Sequence, residues 1–140
     1  MKRSGSAVWS GDIKGGGGTV STESGVLDGV GYSFAKRFGD EPGTNPEELI
    51  GAAHAACYSM ALSLILGEHG MTPERIATRA DVSLEKDGDG FAISAVHLTG
   101  EATIPGGDAE KFIAAAEAAK AGCPVSKLLN ATITMDARLA

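Results

Sequence analysis

The chain has 140 residues, a formal charge of -6 and a 43% hydrophobic composition, enough for one domain spanning 1–140 whose core needs no disulfide or metal staple. Its 12 Lys and Arg residues do not gather into a stripe, which argues against a nucleic-acid or anionic-membrane partner. Two cysteines are too few for a disulfide scaffold, and no leader segment is recognisable, so the thiols are expected in the reducing cytoplasm, where a bridge is transient and chemical.

Ala7-Val8-Trp9, Thr19-Val20-Ser21-Thr22 and Tyr32 through Phe38 are short segments of strand propensity separated by Gly and Asp turns, and they predict an N-terminal antiparallel meander. The run Gly15 to Gly18 lacks the Gly-Lys-Ser/Thr ending of a phosphate loop and reads as a turn. On the third strand Arg37 is expected on the face with Ser33 and Ala35, where small neighbours leave room for a long side chain to lean.

Asn45-Pro46-Glu47-Glu48 is a strong helix start. Asn45 caps, Pro46 takes the first helical position, Glu48 completes a capping box, and the helix dipole favours Glu47 in the first turn. The helix should run to about Leu66 and stop at Gly67, spanning roughly 30 Å. No charge falls between Glu48 and Glu68, although His54, Ser59 and Ser63 interrupt the apolar run, so this is a core helix rather than a membrane span. It must be covered on nearly every side, and one chain of this size supplies only part of that cover, which points to a homodimer.

Arg79 to Glu85 and Phe91 to Ile104 form a hairpin around Lys86 to Gly90, with a bulge expected near Val96, where the alternation changes phase. Asp108 caps a helix from about Ala109 to Ala121, ended by Gly122. Pro124 opens a short helix through Leu129 with Cys123 as its cap, and Thr132 to Leu139 is a last strand. The fold class is α+β, antiparallel sheets around a long buried central helix.

Cys57 in the long helix and the distant Cys123 have two readings, inert buried thiols or a reactive thiol with a resolving partner. A thiol attacks as its thiolate, only a few per cent populated near pH 7 at an ordinary pKa of about 8.5, and burial reduces that further. A cation is required. Arg37 is the candidate, because guanidinium stays charged when buried; the alternative is an ordinary exposed strand cation. Glu47 or Glu48 would orient it, unless both are simply helix-end carboxylates. His54, one turn before Cys57, is read as a core histidine bonded to some acceptor, with a general base or half a metal site as the other options. Trp9 and Met60 are read as packing residues.

The stretches Trp9-Ser10-Gly11-Asp12, Gly18 to Gly25, Arg37-Phe38, Gly43 to Cys57 and Ala119 to Ser126 together resemble the osmotically inducible protein C family, within the group that also holds the organic hydroperoxide resistance proteins. The resemblance covers essentially the whole chain. It implies an intertwined homodimer with two equivalent sites and a thiol peroxidase of organic hydroperoxides, with hydrogen peroxide a poorer substrate. By position it assigns the peroxidatic cysteine to Cys57, the resolving cysteine to Cys123, the catalytic arginine to Arg37 and its carboxylate to Glu47. It gives His54 no part, and places Tyr58 where an aromatic is usual. A lipoylated protein or thioredoxin-like dithiol is the implied reductant, and no cofactor or metal is called for. The competing reading is a redox-sensing or small-ligand-binding dimer without turnover.

Overall fold

The computed structural model describes residues 1–140 and resolves them into two compact units, residues 1–49 and 50–140. In the first, β1 (Gly5–Ser10), β2 (Gly17–Thr22) and β3 (Val30–Tyr32) form an antiparallel meander in that order, as expected. The turn between β1 and β2 is tied by the Asp12 carboxylate, which accepts from the N–H groups of Lys14 and Gly15 at 2.9 and 2.7 Å. The glycine run is only partly a turn. Gly17 and Gly18 already belong to β2, and a Cβ on Gly18 would collide with the Val8 carbonyl oxygen and the Tyr32 ring, so the small residue lets β1 and β3 flank β2 closely.

The predicted strand from Tyr32 to Phe38 ends at Tyr32. Phe34–Phe38 is a short helix, α1, capped by Ser33, whose hydroxyl accepts from the Lys36 N–H at 3.2 Å. Phe34 and Phe38 are four apart, a spacing compatible with both a strand face and a helix face. In the fold their rings stack across one helical turn with centroids 4.9 Å apart.

Helix α2 (Pro46–Glu68) begins where the capping motif places it, with Asn45 Oδ1 accepting from the Glu48 N–H at 2.8 Å, and ends two residues beyond Leu66, its expected last residue. In the second unit it packs on a sheet of β4 (Arg75–Asp87), β5 (Gly90–Thr103) and β6 (Thr132–Leu139). The buried positions of α2, Gly51, His54, Tyr58, Leu62 and Leu66, recur every three or four residues, and on β5 Val96, Leu98, Gly100 and Ala102 alternate toward the core. Helix α3 (Ala109–Gly122), capped by Asp108 through the Lys111 N–H, adds Phe112, Ala115, Ala116 and Ala119. Each fully enclosed large side chain here contributes about 1.5–3 kcal/mol.

Three expectations change in detail. The bulge lies at Ser94, where the register passes from Ser83↔Ala95 to Leu84↔Ile93, two residues before Val96. Strand β6 pairs parallel to β5, because α3 and α4 (Pro124–Leu128) carry the chain back to the end where β5 starts; the antiparallel description holds for the other pairs. Within this chain the long helix is enclosed along one face only. Met60, expected to pack, is 76% exposed, and Leu64 is 67% exposed.

Candidate active site

Cys57 faces away from the buried stripe of α2 by a fraction of a turn and is half-buried, whereas Cys123 is fully buried at the junction of α3 and α4. Although 66 positions separate them, the Cys57 and Cys123 sulfurs lie 2.6 Å apart. Ala119 on α3 accepts from the Cys123 N–H at 3.0 Å, and Pro124, lacking an N–H, opens α4 without a further donor to satisfy. The Cys123 side chain makes no cap bond, which leaves its sulfur for Cys57.

Burial and the hydrogen bond with Cys123 push the Cys57 thiol above its ordinary range, while the Val125 N–H, donating to the Cys57 sulfur, pulls it down. The immediate surroundings of the sulfur thus favour a neutral thiol. Beside it opens an apolar hollow of about 550 Å³, lined by Met60, Ala61, Leu64, Ile65, Ala119 and Pro124.

In the first unit Arg37 lies on α1 rather than on a strand, and Glu47 lies in the first turn of α2. Their side chains form a fork. Arg37 Nε donates to both Glu47 oxygens at 3.2 and 3.1 Å, and Nη2 donates to Oε1 at 2.6 Å. Glu47 is only 12% exposed and Arg37 37%, and the guanidinium also lies 5.2 Å from the centroid of the Phe38 ring. Of the two carboxylates the sequence left open, Glu47 is the one that holds Arg37, while Glu48 supplies its N–H to the cap.

His54 is fully enclosed, and its Nε2 lies 2.7 Å from the Ser126 hydroxyl, the side-chain partner that the core reading expected without naming. No signal in the sequence pointed to Ser126 or to the Val125 N–H, since both act through the path of α4. Trp9 packs as expected, its ring tilted on Tyr32 at 5.4 Å with Nε1 donating to the Gly11 carbonyl. No cluster of three or more His, Cys, Asp or Glu side chains has the arrangement of a metal site.

The second unit thus holds a free thiol pair in contact between α2 and the α3–α4 junction, and the first unit holds a carboxylate-held guanidinium; a thiol pair of this kind is the chemistry of cysteine-based redox proteins. Residues 39–138 match the family model described as OsmC-like protein, and the chain belongs to that family. It is 61% identical over 139 residues to peroxiredoxin OsmC of Escherichia coli K12, covering 99% of this chain and 97% of that protein. It is 31% identical over 125 residues to the organic hydroperoxide resistance protein OhrB of Bacillus subtilis, covering 87% and 88% of the two chains. The crystal structure of OhrB superimposes with a TM-score of 0.67 over 98% of both chains at 27% identity. An OsmC-like protein of unknown function from Vibrio cholerae has the same fold, with a TM-score of 0.78 at 15% identity over 98% of this chain and 99% of its own.

Proposed function

We propose that this chain is a cysteine-based peroxidase that reduces organic hydroperoxides to alcohols, and hydrogen peroxide less efficiently. The observation that carries the reading is the 2.6 Å approach of the Cys57 and Cys123 sulfurs in a chain that also belongs to the OsmC-like family. Similarity to a peroxiredoxin and to organic hydroperoxide resistance proteins supports the substrate class.

In the proposed reaction Arg37, held by Glu47, supplies the positive charge that Cys57 needs, because burial and the neighbouring thiol otherwise favour the neutral form. The Cys57 thiolate attacks one peroxide oxygen and the O–O bond breaks. Cys57 becomes the sulfenic acid, and the alkoxide leaves and takes a proton to give the alcohol. Arg37 stabilises the charge that develops on the oxygens. Cys123 then condenses with the sulfenic acid, forming the S–S bond and releasing water, and an external dithiol reduces the bridge. A lipoylated protein or a thioredoxin-like dithiol fits that last step. The electrons pass through sulfur throughout, so the cycle as written calls on no cofactor.

The apolar hollow beside Cys57 suits a substrate with a carbon chain. Met60 and Leu64 leave a broad apolar strip of α2 open, and a second copy of the chain is the cover we propose, giving a homodimer with two sites. Residues 1–140 then act as one functional domain, in the reducing environment of the cytoplasm.

The test is turnover of excess cumene hydroperoxide with an added dithiol. Cys57→Ser should abolish consumption, whereas Cys123→Ser should keep a first turnover and fail to recycle normally. Equal loss of the initial burst in both variants would reject the division of roles. Stoichiometric oxidation without turnover would instead support the redox-sensing alternative.

A further inference from the structure

The cysteines are not the only link between α2 and the segment that carries Cys123. His54 lies three residues before Cys57, Ser126 lies three residues after Cys123, and His54 Nε2 meets Ser126 Oγ at 2.7 Å. Two cross-links therefore join the same two segments about one helical turn apart, one between sulfurs and one between imidazole and hydroxyl.

The imidazole is costly where it stands. It is fully enclosed, and Nδ1 has no hydrogen-bond partner. An enclosed polar atom without a partner costs about 1–3 kcal/mol, so packing alone favours an apolar side chain at this position. What imidazole makes there, and Leu or Met cannot, is the bond to Ser126. We assign the ring proton to Nε2, which donates to the hydroxyl and leaves only a lone pair unsatisfied at Nδ1 rather than an orphan N–H. Burial, which lowers the His54 pKa, keeps this neutral form.

We infer that His54 and Ser126 are positioning residues for the second half of the reaction, a clamp that keeps the Cys123 thiol within reach of Cys57 while the latter carries oxygen. The inference rests on the peroxidase reading above. Cys57 sulfenic acid has two fates. It condenses with the Cys123 thiol to give the disulfide and water, or a second hydroperoxide oxidises it to the sulfinic acid and leaves as the alcohol. The first fate is intramolecular and depends on how the Cys123 segment is held, whereas the second depends only on hydroperoxide concentration. A loosened clamp slows resolution in proportion to the lost positioning, and reaches the first attack only through the Val125 N–H beside Cys57. The hydroperoxide concentration that gives half sulfinic acid equals the resolution rate divided by the second-order overoxidation constant, so it falls in proportion.

The experiment treats reduced full-length wild type, Ser126→Ala, Ser126→Thr and His54→Leu with increasing cumene hydroperoxide and no reductant. Intact-mass spectrometry reads disulfide against sulfinic acid, and rapid mixing reads the first oxidation. Ser126→Ala is expected to oxidise Cys57 at a rate within about twofold of wild type, yet to reach half sulfinic acid at about tenfold lower hydroperoxide. Ser126→Thr, which keeps the hydroxyl, should restore the wild-type partition. His54→Leu should match Ser126→Ala and serves as the second reading if that variant does not fold. An unchanged partition in both loss-of-bond variants overturns the clamp, and so does slowing of the two steps by the same factor, which marks a general structural defect. Wild type that forms neither disulfide nor sulfinic acid overturns the peroxidase reading itself, and the clamp with it.

Discussion

Replacing Tyr58 by Phe should make the protein more stable. The Tyr58 ring is fully enclosed among Leu62, Leu98 and the α3 residues of the core, and its hydroxyl is buried with no hydrogen-bond partner. Burial, reinforced by the nearby Glu117 carboxylate, pushes its pKa up to about 12. A hydroxyl removed from water without a partner costs about 1–3 kcal/mol, and deleting one oxygen opens little space, so a net gain of about 1–2 kcal/mol is expected. At about 2.1 cal/mol/K of unfolding entropy per residue, that raises Tm by about 3–7 °C for a chain of this length. Calorimetry at equal chain concentration is the assay, because the dimerisation proposed above would make Tm concentration-dependent. A second arm is alkaline pH. The unfolded tyrosine releases its proton near pH 10 and the folded one near 12, so between those values the native state retains a proton that the unfolded chain has lost. Wild type should lose about 2–3 kcal/mol across that window, a loss from which Tyr58→Phe is spared. Destabilisation of the variant by about 1 kcal/mol or more would mean that the hydroxyl has a partner, and an unaltered alkaline slope would mean that burial does not hold its proton; either would refute the reasoning.

Glu47→Gln keeps the shape of the carboxylate but removes the charge that the Arg37 fork grips, and it should slow the first oxidation of Cys57 roughly 10- to 100-fold with the far-ultraviolet circular dichroism unchanged, since small misplacements of a positioned group cost on this scale. Wild-type burst kinetics in that variant would remove the pair from the mechanism. Gly18→Ala places a methyl group against the Val8 carbonyl oxygen and the Tyr32 ring, and urea unfolding should register a loss of about 1–3 kcal/mol; a neutral result would show that β2 can shift to make room. Because burial holds His54 below its ordinary pKa of 6.5, the unfolded chain takes up that proton first and stability should decline as pH falls below about 6.5. Urea midpoints at pH 7 and pH 5 should therefore differ less in His54→Leu than in wild type.

What could be read without coordinates was local. The Asn45-Pro46 helix start, the Asp108 cap, the Pro124 opening of α4 and the strand at 132–139 follow from capping chemistry and alternation, each decided within a few residues. Chemistry alone singled out Cys57, Cys123 and Arg37 as candidates and left Glu47 and Glu48 both open; the proposed roles of the four came from the family resemblance, since neither cysteine has a local signature that separates a reactive thiol from a packed one. Short elements failed where two periodicities agree, as in Phe34 and Phe38, whose four-residue spacing suits a strand face and a helix turn alike.

The approach of Cys57 to Cys123, the fork between Arg37 and Glu47, the bond from His54 to Ser126 and the parallel pairing of β6 were decided by the tertiary structure. Each joins residues brought together by the packing of separate elements, and no window of sequence contains both partners in their mutual orientation. The amino-acid order determined which elements form and where they are capped, because those free energies are set by neighbours along the chain. In the second unit, which side chains meet was determined by the way α2, α3 and the sheet bury their shared apolar faces, a property of that whole unit rather than of any segment in it.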